Sequence, residues 1–74
     1  MATGIGDSLA LLRDLAGMGL GEASEAMHTS PSYLALVETG ERRPFPAWAE
    51  RASRVYADQS AANAVAATLA ARAA

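Results

Sequence analysis

Apolar positions along this chain recur at helical spacing. No segment alternates apolar and polar residues over six positions, and β-branched residues are sparse, so no strand is predicted. Leu9, Leu12 and Ala16 fall at i, i+3 and i+7, with Leu11 and Leu15 flanking them. They form one apolar stripe. Asp7 or Ser8 can cap the start of this first helix, and Gly17 and Gly19 end it. A short second helix is predicted over residues 20–27. Leu20, Ala23, Ser24 and Met27 face inward, while Glu22 and Glu25 face water. Glu22 sits near the amino end, where the helix dipole favours a negative charge.

The next residues are His28-Thr29-Ser30-Pro31. Ser30 is a good N-cap and Pro31 a good first helical residue, so a third helix starts after a turn of about three residues. It runs to Glu38 or Thr39 and stops at Gly40, with Leu34 and Val37 inward at i, i+3. Glu41-Arg42-Arg43-Pro44 reads as a loop. A fourth helix is predicted over residues 46–56, with Phe45, Trp48, Ala52, Val55 and Tyr56 as its apolar stripe. Asp58 or Ser60 breaks it. A fifth helix, over residues 61–72, is nearly all Ala, with only Val65 and Leu69 large. The faces carrying those two cover the core of their own domain or pair with another subunit. The prediction is an all-α chain of five helices in one domain, residues 1–74. Residues 1–6 are a flexible lead-in, residues 20–39 a helix-turn-helix, and residues 57–74 an Ala-rich C-terminal helix.

Seventy-four residues give a single small core and little reserve of buried surface. No Cys is present, which excludes disulfides and thiolate-bound zinc and agrees with a cytoplasmic location. An apolar fraction of 51% is too high for a disordered tail. No stretch approaches the roughly 20 apolar residues of a membrane span, and no basic segment followed by a long apolar run marks a signal peptide. Nineteen residues are Ala, and all six basic residues are Arg. Ala favours helix, although this usage is also what a GC-rich genome writes. The net charge of −2 argues against indiscriminate nucleic-acid binding and leaves room only for a small basic patch. His28 is the sole His, and Glu22, Glu25, Glu38, Glu41 and Glu50 form no close pair in a cleft. No catalytic, cofactor or metal site is predicted, and the chain reads as a non-enzyme.

From residue 12 to residue 56 the chain resembles the lambda repressor/Cro (XRE-like) type of helix-turn-helix DNA-binding domain. The resemblance rests on Leu12-Arg13, on Ser30-Pro31-Ser32-Tyr33-Leu34, on Val37-Glu38-Thr39-Gly40 and on Arg42-Arg43-Pro44. It implies a compact five-helix bundle, usually dimeric, whose third helix lies in the major groove of double-stranded DNA. Thr29, Ser30, Ser32, Tyr33 and Leu36 are then the residues toward DNA, with Arg42 and Arg43 on phosphates. The resemblance also implies an ion pair between Arg13 and Glu38 that braces the recognition helix. A small repressor of phage or mobile-element type, a homodimer that occludes a promoter with no effector domain after residue 74, is the implied function.

Several positions depart from the family pattern. Leu20 stands where Gln is common, Ala16 where Arg or Lys is common, and His28 where the turn usually carries Gly. Base reading generally uses Arg, Lys, Asn or Gln, and none occurs between Thr29 and Gly40. The alternative is a helix-turn-helix that has lost DNA reading. Its Leu36 and Tyr33 face, with Leu20 and Met18, would then bind a protein such as a repressor, a polymerase subunit or a toxin.

Overall fold

The computed structural model describes residues 4–73, which form four helices and no strand. These are α1 (Ile5–Leu15), α2 (Leu20–Ala26), α3 (Pro31–Glu38) and α4 (Pro46–Ala73). The all-helical class agrees with the sequence reading, but the count of five helices does not. The predicted fourth and fifth helices are one continuous helix of 28 residues. Asp58 and Ser60 are weak interior helix formers rather than breakers. No Gly or Pro follows Pro46, and the flanking alanines carry the helix through them. Of the Ala-rich helix expected over residues 57–74, residues 57–73 are thus the later part of α4, and residue 74 lies outside the described residues.

The first three helices end in one way. In each, the backbone N–H two residues past the cap donates to a carbonyl five residues back. Met18 donates to Arg13 (3.2 Å), Thr29 to Ser24 (2.9 Å) and Glu41 to Leu36 (3.0 Å). The residue between takes the left-handed conformation: Gly17 at φ 71°, His28 at φ 54° and Gly40 at φ 86°. This is the Schellman arrangement, and glycine is its usual left-handed residue. His28 fills the same position with a side chain, at a steric cost that His tolerates better than most residues.

α1 starts at Ile5, two residues ahead of the predicted cap at Asp7. Gly4 takes the N-cap position with no side-chain hydrogen bond. Of the lead-in expected over residues 1–6, Ile5 and Gly6 are thus helical, and residues 1–3 lie outside the described residues. Gly6 is buried where α1 meets the end of α3. A Cβ there would collide with the Val37 carbonyl oxygen.

The core consists of Leu9, Ala16, Met18, Ala23, Met27, Leu34, Val37, Ala49, Ala52 and Tyr56, with Leu12, Tyr33, Trp48 and Val55 packed at its edge. Leu20, predicted to face inward, is exposed at the first position of α2. Phe45, predicted to join the apolar stripe, is 78% exposed. It precedes α4, and its carbonyl accepts the first helical hydrogen bond from Ala49 (3.0 Å) while buried Pro44 anchors the loop instead. The core is finished by residue 56. Every residue over 61–73 is exposed, so Val65 and Leu69 do not cover it. The last polar tie to the body is Asn63, whose side-chain amide donates to the Ala16 carbonyl at the end of α1 (2.8 Å) and accepts from Gln59 (2.9 Å).

Candidate nucleic-acid interface

α2 and α3 are joined by residues 27–30, and buried Ser24 organises the join. Its hydroxyl donates to the Gly21 carbonyl (3.0 Å), and its own carbonyl accepts from Thr29 N–H (2.9 Å). Ser30 then starts α3. Its side chain accepts from the Tyr33 N–H at 3.1 Å, and Pro31 supplies a first-turn residue whose missing N–H costs nothing there. The Ser30 hydroxyl hydrogen is left free to donate outward.

Burial of Leu34 and Val37 fixes the rotation of α3. Ser30, Pro31 and Ser32 are exposed at its amino end. Thr29 and Leu36 are half-buried. Tyr33, which the resemblance places toward DNA, is only partly free. It is half-buried and packs edge-on against Trp48, with ring centroids 5.4 Å apart and planes at 86°. This contact between residues 15 apart in sequence carries no periodic signal, so sequence reading missed it.

The carboxyl end of α3 is held from two sides. Arg13 on α1 donates from Nε to Glu38 Oε2 (2.7 Å) and from Nη2 to Glu38 Oε1 (2.9 Å), a two-pronged ion pair. Its Nη1 donates to the Met18 carbonyl (2.9 Å). The side chains are only 15% and 10% exposed. The hydrogen bonds to Glu38 hold the Arg13 pKa above its ordinary value, against the opposing effect of burial. On the other side, the Leu36 carbonyl accepts from Thr39 Oγ1 and from the N–H groups of Glu41 and Arg42 (3.0–3.1 Å). That carbonyl pins the loop, so Arg42 and Arg43 leave the body from a fixed point, both exposed. Neither makes an ion pair among the described residues. Together with Gly40 they border a depression at the uncapped amino end of α1.

Five of the seven residues expected toward DNA therefore fall into two groups at opposite ends of α3, about 12 Å apart along its axis, with Tyr33 and Leu36 within the helix between them. Thr29, Ser30 and Ser32 are at one end, and Arg42 and Arg43 are past the other. The geometry is that of a short, rigidly seated helix with small hydroxyl side chains at its tip and free cations beyond its base.

A family model for the helix-turn-helix domain matches residues 5–73. The chain belongs to that family. Its members are XRE/Cro-like helix-turn-helix domains, a DNA-binding type. No curated protein and no solved structure matches the chain. Within the matched span, α2 and α3 pack against each other through the short join at residues 27–30. No helix among the described residues is long and apolar enough to cross a membrane.

Proposed function

We propose that the chain is a sequence-specific transcription regulator that binds double-stranded DNA as a homodimer and represses by occupying a promoter, in the manner of a phage or mobile-element repressor. α3 enters the major groove amino end first. Ser30 and Ser32 donate to phosphate or base-edge acceptors, with Thr29 beside them. The exposed parts of Tyr33 and Leu36 offer apolar contact to a thymine methyl. Arg42 and Arg43 hold backbone phosphates next to the amino end of α1, where the helix dipole adds to their attraction. The observation that carries this reading is the seating of α3. The Arg13–Glu38 pair and the Leu36 carbonyl fix its base, while its tip and two unpaired arginines stay open to solvent.

The test is fluorescence anisotropy with DNA from upstream of the protein's own gene, against a scrambled duplex. Measurements at about 50 and 200 mM salt give the slope that counts phosphate contacts. Saturable binding to the native duplex alone, weakening with salt, is the expected result. Equal weak binding to both duplexes would remove sequence specificity. A second reading, a protein-binding helix-turn-helix, is favoured by the absence of any basic or amide side chain from α3. It predicts no binding to either duplex even at low salt.

A further inference from the structure

The second half of α4 leaves the body with an organised but unused surface. Tyr56 is fully buried and marks the core side of the helix. Val65 follows nine residues later, about two and a half turns on, and so points away from the core. It is 58% exposed, and Leu69 one turn further is 62% exposed. Asp58, Ala61, Ala62, Val65, Leu69 and Arg72 fall at i, i+3, i+4, i+7, i+11 and i+14, a single seam along the outer face. No charged residue lies between Asp58 and Arg72. A helix exposed on all sides ordinarily carries charge on every face, so this seam is unusual for one left in water.

The charges at its two ends are opposite and equidistant from Val65. Asp58 precedes Val65 by seven residues, and Arg72 follows it by seven. Both are exposed, and neither has an ion-pair partner among the described residues. They lie about 21 Å apart along the helix, too far to meet within one chain. Two copies laid antiparallel bring each Asp58 against the other copy's Arg72, each Leu69 against Ala61, and Val65 against itself. The alanines let the two helices approach closely.

We infer that residues 58–72 of α4 form the contact between two copies of this chain, antiparallel, with Val65 on the two-fold axis and Asp58–Arg72 ion pairs closing both ends. The inference deepens the homodimer reading above and rests on it for the pairing of copies. An interface made by two segments of this length is smaller than the roughly 1,200 Å² of a standard stable complex. Association is therefore weak, concentration-dependent and weakened by salt.

Sedimentation equilibrium of the full chain over a concentration series tests this. A monomer–dimer equilibrium is expected. Val65→Asp sets two carboxylates face to face on the axis and should weaken dimerisation about a hundredfold, with helical circular dichroism unchanged because the site is exposed. Asp58→Arg and Arg72→Asp alone each replace two attractions by two repulsions and should weaken it about tenfold. An equimolar mixture of those two single variants should regain wild-type affinity, because each copy then supplies the charge the other needs. Wild type that stays monomeric throughout overturns the inference. So does a dimer indifferent to Val65→Asp, or a charge-reversed mixture that fails to recover; in those cases the interface lies elsewhere and the homodimer reading survives. A dimer that obeys all three variants but binds neither duplex supports the interface and overturns the DNA-binding proposal instead.

Discussion

At Arg13 the guanidinium donates from all three of its nitrogens, to both oxygens of Glu38 and to the Met18 carbonyl. Arg13→Ala would leave a nearly buried carboxylate and a backbone carbonyl without these donors. The expected loss is about 2–3 kcal/mol of folding stability by urea titration. That is a large share of what a domain of this size possesses. An unchanged unfolding midpoint would show that the pair braces nothing. Tyr56 is a different case. Its ring is core, yet its hydroxyl finds no hydrogen-bond partner among the described residues. Burial pushes the Tyr56 pKa above its ordinary value of 10.0, with the nearby Glu38 carboxylate adding to the shift. A raised folded-state pKa favours the neutral phenol. The associated stability is fully present below about pH 10 and is lost as pH rises through the folded-state value. Tyr56→Phe should therefore cost less than about 1 kcal/mol at neutral pH, since it removes an unpaired polar atom. Thermal melts above pH 10 should show the variant losing less stability than wild type.

Among the elements, α3 depends on how closely α1 approaches its carboxyl end, and Gly6 permits that approach. Gly6→Ala improves helix propensity by about 1 kcal/mol, so propensity alone predicts stabilisation. The collision with the Val37 carbonyl forces α1 and α3 apart, and a net loss of about 1–3 kcal/mol in chemical denaturation is expected instead. Helix starts and stops were largely legible. Ser30-Pro31, Gly17 and Gly40 are local signals that act on their own backbone. His28 was legible as the residue in glycine's usual place, and its left-handed conformation follows from that. The break between residues 56 and 61 was misread because Asp58 and Ser60 resemble caps in isolation. A cap requires the chain to leave the helix, and nothing in that stretch makes it do so. At the surface proposed to face DNA, the exposure of Ser30, Ser32, Arg42 and Arg43 agrees with their expected placement. The Tyr33–Trp48 contact and the anchoring Leu36 carbonyl were not legible, because both depend on residues brought together by folding.

For the molecule as a whole, charge limits DNA affinity. The net charge is −2, and Glu22, Glu25 and Glu41 are exposed on or beside α2 and α3. In the proposed complex, attraction to phosphate therefore rests on few groups, chiefly Arg42 and Arg43. Replacing both by Ala should weaken binding on every duplex alike. It should also flatten the salt dependence by about two phosphate contacts per protomer, each worth about 0.9 in the logarithmic slope. Anisotropy titrations at several salt concentrations measure this, and an unchanged slope would remove both arginines from the interface. The long axis of 45 Å comes from the 28-residue α4, which runs well past the last core residue.

By itself, the sequence determined the helical class, the ends of the first three helices, the capped start of α3 and the family to which the chain belongs. Those features depend on a residue's own backbone preference or on partners within a turn or two, which the order of residues states directly. Only the tertiary structure decided which apolar side chains are core. Phe45 and Leu20 are exposed and Tyr33 is half covered, because burial depends on what packs opposite a residue and not on its own hydrophobicity. It also decided that Gly6 must be glycine and that Val65 and Leu69 face outward. Their direction follows from the phase of an unbroken α4 measured from Tyr56, and one intervening break would have turned them elsewhere.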